Sequence, residues 1–239
     1  MPRCPEVVLD FSDEVAAAQP AATSIIVRES VSGPEVLLLR RSEALRHMPG
    51  LWVFPGGKVE PDDPGDSALE RARTAAAREL AEEAGVGVDA AALQTFSHWL
   101  TPLVVKRRFS TWFFLAEVPP GTPVEVDGQE MTEYQWSQPG LAIQAHQRGE
   151  LALTPPTLVS LYDIASLASA SDLSGAVTAR EAPQFFPNVV RQAEQMVFLY
   201  HGDIAYESGD LTLQGPLHRT TADSGGIFSY QPLSTDGAL

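Results

Sequence analysis

The hydrophobic period changes several times along this chain, and each change marks an element. Residues 22–28 (A-T-S-I-I-V-R) and 35–41 (E-V-L-L-L-R-R) are short apolar runs divided by a Ser-Gly-Pro turn, and both read as strands. Trp52-Val53-Phe54 is a third run, stopped by Pro55-Gly56-Gly57. From residue 67 to 84 the period lengthens. Leu69, Ala72 or Arg73, Ala76 and Leu80 recur at helical spacing and predict a helix with one face toward a sheet. Ser67 followed by Glu70 fits a capping box, and Gly85 stands where a left-handed C-terminal cap belongs. Residues 93–100 and 108–118 return to strand character, and 133–136 reads as another short strand. Pro139 to Arg148 predicts a helix halted at Gly149. Thr154-Pro155-Pro156 opens a further one, with Leu158, Leu161, Tyr162 and Ala165 on its apolar side.

Past this point the signal thins. Ser, Ala and Gly in 169–178 read as a linker or a helix end. Residues 196–200 and 203–206 are expected to pair as a hairpin through His201-Gly202. Residues 220–239, rich in Ser, Thr, Gly and Asp, are expected to be partly irregular. No internal repeat is visible. The predicted organisation is mixed α/β, with a main domain over 20–168. An extension over 169–239 is expected to pack on that domain or on a homodimer partner.

The helix at 67–84 carries the most chemistry. Glu79, Glu82 and Glu83 fall within a narrow arc of one face. Like charges at this spacing destabilise a bare helix, so the cluster calls for a compensating cation. Carboxylate oxygens suit Mg²⁺ or Mn²⁺, which bind few protein carboxylates plus substrate phosphate. The plainer reading is a solvated acidic face. Arg78, beside this arc, reads as a charge-balancing group or as a surface arginine.

Charge and composition narrow the function. The chain has 239 residues, 44% of them hydrophobic, and a formal net charge of −15. That balance argues against nucleic acid and anionic membranes as partners, because both need a basic face. It leaves room for a small anionic substrate, since a bound metal and a few arginines reverse the field in a cleft. Cys4 is the single cysteine, so no intramolecular disulfide forms, and a reducing compartment is expected. No basic start leads into an apolar run, and no 18-residue apolar stretch occurs. The expected setting is cytoplasmic. His47, His98, His146, His201 and His218 lack zinc-ligand spacing and read as ordinary polar surface.

The neighbourhood of the glutamates resembles the Nudix box, G-x5-E-x7-R-E-U-x-E-E-x-G-U with U aliphatic. Glu70 is followed after seven residues by Arg78-Glu79-Leu80-Ala81-Glu82-Glu83-Ala84-Gly85-Val86, which meets every fixed position of that half. The opening half departs: twelve residues separate Gly57 from Glu70 instead of five. The extra residues include Pro61 to Asp66, a loop-forming composition expected to be exposed and to spare the glutamate face. The resemblance implies an α/β/α sandwich and hydrolysis of a nucleoside diphosphate linked to a further group. It implies that Glu79, Glu82 and Glu83 hold Mg²⁺ or Mn²⁺ with the main-chain carbonyl near Gly56, and that Glu70 braces Arg78. From the residues alone a capping role for Glu70 is equally open. Glu79 is the candidate general base, with Glu130 or Glu133 as the downstream alternative.

Substrate choice lies outside the box. Residues 37–57 resemble the signature of coenzyme A diphosphatases in the same superfamily, L-L-T-x-R-(S/A)-x3-R-x3-G-x3-F-P-G-G. Leu37, Leu38, Arg41, Ser42, Arg46, Gly50, Phe54, Pro55, Gly56 and Gly57 match, and Leu39 departs where threonine is expected. The interrupted box is also similar to that of the peroxisomal coenzyme A diphosphatases. A ligand with a 3′-phosphate beside its diphosphate calls for extra arginines. Arg40, Arg41, Arg46 and the run Lys106-Arg107-Arg108 are the candidates, with surface charge as the plainer reading. Phe54 and Gly57 join Arg41, Arg46 and Arg107 as expected substrate-binding positions. Pro102, 16 residues beyond Val86, points weakly to an ADP-ribose diphosphatase instead. A non-catalytic nucleotide-binding module is a third reading, which an intact R-E-x-x-E-E disfavours.

Overall fold

A computed structural model of the chain describes residues 11–233 except 13, 167, 168 and 194. The first eight strands build one mixed sheet: β1 (Gln19–Arg28), β2 (Glu35–Arg41), β3 (Trp52–Val53), β4 (Gly56–Lys58), β5 (Gln94–Leu100), β6 (Phe109–Glu117), β7 (Met131–Ser137) and β8 (Gln184–Phe185). Their order is β3-β2-β1-β6-β5-β8, with β4 alongside β1 and β7 alongside β2. β1 is the spine. It runs parallel to β6, with Ala22 opposite Trp112 and Ile26 opposite Ala116. Its other edge is shared: β2 takes the C-terminal end at Val27 and Arg28, and β4 takes Ala21, Ala22 and Thr23. A Cβ on Gly56 would lie 2.4 Å from the Ala22 carbonyl oxygen, so only glycine lets β4 come this close.

One face of the sheet carries α1 (Ala68–Ala84). Its start is fixed by a capping box: Ser67 Oγ accepts from Glu70 N, and Glu70 Oε2 accepts from Ser67 N. Its end is fixed by Gly85 at φ 65°. Ala72, Ala75, Ala76 and Leu80 lie against Ala22, Ile26, Leu37, Leu39 and Phe114 of the sheet. Small residues on both sides let α1 settle close to β1. There the buried Ser24 hydroxyl donates to the Ala76 carbonyl at 2.9 Å.

The other face carries α2 (Pro139–Gln147), α3 (Pro155–Ala165) and α4 (Ala170–Thr178), together with a second antiparallel sheet. That sheet is β12 (Phe228–Gln231), β11 (Arg219–Ala222), β10 (Gln195–Leu199) and β9 (Asn188–Gln192), in spatial order. One continuous core joins Ile25, Leu38, Phe113 and Leu115 of the main sheet to Leu158, Leu173, Phe198 and Phe228. No helix among the described residues is long and apolar enough to cross a membrane.

Two expectations need correction. Residues 169–178 form a capped helix: Ser169 Oγ accepts from Asp172 N, and Ala170, Leu173 and Val177 are buried. Residues 203–206 are turns, and β10 pairs with β9 and β11 instead. Asp203 is drawn out of strand geometry because its carboxylate takes Arg219 and the N–H groups of Ala205 and His218. Residues 220–239 are partly irregular as expected: among the described residues most of β11 and all of β12 flank an irregular 223–227, while 234–239 lie outside the described residues. Cys4 also lies outside them.

Candidate active site

The site is built where α1 meets Gly56 and Gly57 at the start of β4. Gly56 N–H donates to Glu83 Oε2 at 2.8 Å, which ties the helix carboxylates to the start of β4. A Cβ on Gly57 would lie 2.4 Å from Oε1 and 2.6 Å from Oε2 of Glu79. Any side chain at 57 would therefore displace the Glu79 carboxylate. Arg78 divides its guanidinium among several oxygens. Nη1 donates to Glu79 at 2.9 Å and Glu82 at 3.0 Å, and Nη2 to the Lys58 carbonyl at 3.1 Å. Its Nε and Nη2 also grip the two carboxylate oxygens of Asp63, at 2.9 and 3.1 Å.

Asp63 overturns one expectation about the insertion. Pro61, Asp62, Pro64, Gly65 and Asp66 are exposed as expected, but Asp63 is buried. It braces Arg78, and Glu70 does not: the Glu70 carboxylate turns back to Asp66 N, Ser67 N and the Ser67 hydroxyl. The signal for this was present. Five residues separate Gly57 from Asp63, the uninterrupted spacing of the box with aspartate for glutamate. The extra seven residues therefore lie after Asp63, between it and Arg78, and not before the bracing acid.

The charges are unevenly matched. The Arg78 guanidinium holds the Asp63 carboxyl below its ordinary range. Burial pushes the Glu83 carboxyl up to about 8, with the Glu79 and Glu130 charges adding to it and the Gly56 N–H opposing. Burial also raises Glu79, against the pull of Arg78. Among the described residues no three acidic, histidine or cysteine side chains stand together as a closed cation cage. In this arrangement Arg78 occupies Glu79 and Glu82, and Gly56 N–H occupies Glu83. The donor set itself fits a hard divalent cation: carboxylate oxygens on one helix face, in surplus over their arginine.

Basic groups gather beside these acids. Arg41, at the end of β2, lowers Glu83 by its charge and donates from Nε to the His47 carbonyl at 3.4 Å. His47 is half-buried, with its ring 6.2 Å from that of Phe109. Burial, then the charges of Arg41 and Arg107, hold its imidazole below the ordinary histidine value. Arg46 is exposed on the same 42–51 segment, and Arg107 is exposed near the start of β6. The sequence reading took His47 as ordinary polar surface, because nothing in its spacing shows that the chain folds back over Arg41.

Other candidates fall elsewhere. Phe54 is 3% exposed in the core beneath α2–α4, so its side chain is not open to substrate. Arg108 is buried and donates to the carbonyls of Thr101 and Ala16, so it ties two segments together. Arg40 and Glu133 are bonded to each other across β2 and β7. Leu39 faces α1, so neighbouring Arg40 and its cross-strand partner Glu133 point to the opposite face, away from Glu79. Glu130, just ahead of β7, is the downstream acid whose charge reaches both Glu79 and Glu83.

Comparison with known proteins agrees with this geometry. Over 187 residues the chain is 34% identical to acyl-coenzyme A diphosphatase NUDT19 of Homo sapiens, covering 75% of this chain and 49% of that protein. It thus spans about half the length of that relative. It is 27% identical to putative nudix hydrolase 7 of Caenorhabditis elegans, over 92% of this chain and 85% of that one. A crystal structure of a NUDIX hydrolase from Alicyclobacillus acidocaldarius superposes with a TM-score of 0.61 at 23% identity, covering 68% of this chain and 96% of that one, and shows the shared fold. The NUDIX domain model matches residues 18–155, more than half of the chain, and contains both Gly56–Gly57 and α1. The chain belongs to the Nudix family.

Proposed function

We propose that this protein is a metal-dependent diphosphatase acting on coenzyme A or an acyl derivative. The observation that carries the reading is the Glu83–Gly56 bond, which sets three glutamates of α1 against the start of β4. Glu79, Glu82, Glu83 and the Gly56 carbonyl are the groups assigned to hold Mg²⁺ or Mn²⁺. Such an ion supplies charge neutralisation at phosphate oxygens and a bound water of lowered pKa. Arg78 keeps Glu79 and Glu82 oriented. Glu79, set against Gly57, is assigned to take the proton of the attacking water, with Glu130 as the alternative. Water adds to one phosphorus of the diphosphate, and the bridging P–O bond breaks. Catalysis then rests on positioning and preorganised charge.

Arg41 and Arg107 support the substrate class. Arg41 brings positive charge beside Glu83, and both arginines act on His47, in a chain whose net charge is −15. A nucleotide with a phosphomonoester beside its diphosphate has a use for that charge. The ten positions matched between Leu37 and Gly57, and the name of the human relative, point to coenzyme A.

The test is a screen of nucleoside diphosphate derivatives with Mg²⁺ and Mn²⁺, reading product masses. Release of 3′,5′-ADP and 4′-phosphopantetheine is expected. AMP and ribose 5-phosphate from ADP-ribose, with coenzyme A untouched, would overturn the substrate and leave the family standing. Arg46→Ala is expected to raise KM for coenzyme A more than it lowers kcat, and to spare 3′-dephospho-coenzyme A. Equal losses on both substrates would take Arg46 off the 3′-phosphate.

A further inference from the structure

Arg71 belongs to none of the patterns above, yet its guanidinium makes three hydrogen bonds to the loop that follows β4. Arg71 and Arg78 are seven residues apart on α1, two turns along the same face. Arg71 Nε donates to the Asp63 carbonyl at 3.2 Å, and Nη2 to the carbonyls of Glu60 at 2.9 Å and Pro61 at 3.1 Å. All three acceptors belong to the four-residue turn that ends in Asp63. Besides the Arg78 grip on the Asp63 carboxylate, the turn has ties of its own: Asp63 N–H to the Glu60 carbonyl, and Glu60 N–H to the Asp63 carboxylate. A Cβ on Gly65 would lie 2.6 Å from Arg71 N, so the inserted segment folds directly onto the helix start.

The chain of contacts is continuous. Arg71 holds the backbone of the turn, the turn presents the Asp63 side chain, Asp63 grips Arg78, and Arg78 holds Glu79 and Glu82. The insertion creates the need for it. Fourteen residues separate Asp63 from Arg78 where an uninterrupted box has seven. A longer connection leaves the bracing acid freer to wander. We propose that Arg71 is a positioning residue of the metal site: it clamps the turn so that Asp63 meets Arg78, and the interrupted box thereby keeps its carboxylates in place. The proposal rests on the assignment of Glu79, Glu82 and Glu83 to a divalent ion.

Mn²⁺ binding to the protein without substrate, followed by electron paramagnetic resonance, tests it. Arg71→Gln, and Arg71→Lys, which keeps charge without the fork, are expected to weaken Mn²⁺ by about tenfold, the usual cost of removing an outer support of a metal site. At saturating Mn²⁺, KM should stay at the wild-type value. Hydrogen exchange at the amides of 58–63 should quicken in both variants. Asp63→Asn should weaken Mn²⁺ similarly, and Arg71→Gln combined with it should lose no more than the worse single change, because both cut one chain of contacts. Glu70→Ala serves as the control. It removes the cap of the same segment, so it should lower Tm by about 2–4 °C and leave Mn²⁺ affinity unchanged.

Wild-type Mn²⁺ affinity in both Arg71 variants, or losses that add fully with Asp63→Asn, would overturn the positioning role alone. A wild type that binds no Mn²⁺, or binds it equally after Glu82→Gln and Glu83→Gln, would overturn the metal reading and this proposal with it.

Discussion

Two arginine–aspartate forks in this molecule look alike and do opposite things. Arg219 holds Asp203 in the C-terminal half with bonds of 2.7 and 2.6 Å, and Arg78 holds Asp63 at the helix with bonds of 2.9 and 3.1 Å. In the first pair the Asp203 side chain is 0% exposed, and its remaining acceptor capacity is filled by the N–H groups of Ala205 and His218. The charges balance one to one, and the pair is complete. In the second, one arginine serves Asp63, Glu79, Glu82 and a carbonyl, while Glu83 and Glu130 stand close by. Negative charge is left over. A balanced fork closes a fold, and an unbalanced one leaves charge for a ligand to meet.

The largest effect expected from this difference is on stability at the balanced fork. Asp203→Ala should cost about 3–5 kcal/mol, because it leaves a largely buried guanidinium unpaired. Urea unfolding measures the loss, and turnover per folded molecule should stay within about twofold of wild type on the scale of ordinary catalytic losses. A fall in turnover without loss of stability would place this fork in the active site. At the unbalanced fork the expected effect is on rate. Glu82→Gln and Glu83→Gln should each cut turnover by about two orders of magnitude. Melting temperature should hold or rise, since each change relieves repulsion among like charges. Near-normal rates at saturating metal would end the assignment of these two side chains.

The smallest expected effect concerns pH. His146 is buried in α2, with Nδ1 on the Leu151 carbonyl at 2.8 Å and Nε2 within 3.0 Å of Phe228 N. Burial holds its imidazole below the ordinary value of 6.5. The unfolded chain therefore takes up the proton first as pH falls. The stability His146 contributes is present above pH 6.5 and is lost as pH drops through the folded value. Between about pH 7.5 and about 5.5 the melting temperature of wild type should therefore fall relative to that of His146→Gln, which lacks this contribution. Burial lowers His47 and His98 in the same direction. The two fork aspartates are silent in this window, since Asp63 and Asp203 lie below their ordinary carboxylate value of 3.8, whereas Glu83, pushed up to about 8 by burial, opposes the histidines because the folded chain takes up its proton first. An unchanged slope in His146→Gln would remove the clasp from the account.

The legible parts of the chain were those whose causes are local. Ser67 and Glu70 are three residues apart, and Gly85 needs only its own φ, so both ends of α1 could be read from sequence. The glutamate face follows from helical period alone. What sequence reading missed depends on contacts between distant segments. Glu70 stood at a box position, but its carboxylate is consumed by the helix cap, and the brace falls to Asp63 in a loop. Phe54 lies in a signature and so reads as a substrate contact, whereas the chain between β3 and β4 turns it into the core. Residues 203–206 carry strand-like composition, but the pull of Arg219 on Asp203 is a tertiary fact.

The shared core has a consequence for synthesis on the ribosome. Trp99 of β5 stacks on Phe185 with ring centroids 4.0 Å apart, and Phe113 belongs to one apolar cluster with Phe198 and Phe228. The catalytic half is translated first, with that face of its sheet still waiting for chain not yet made. At roughly 5–20 residues per second the delay lasts on the order of several seconds. During that interval the face is covered only by α2 and α3, so the late strands are the closing step of folding.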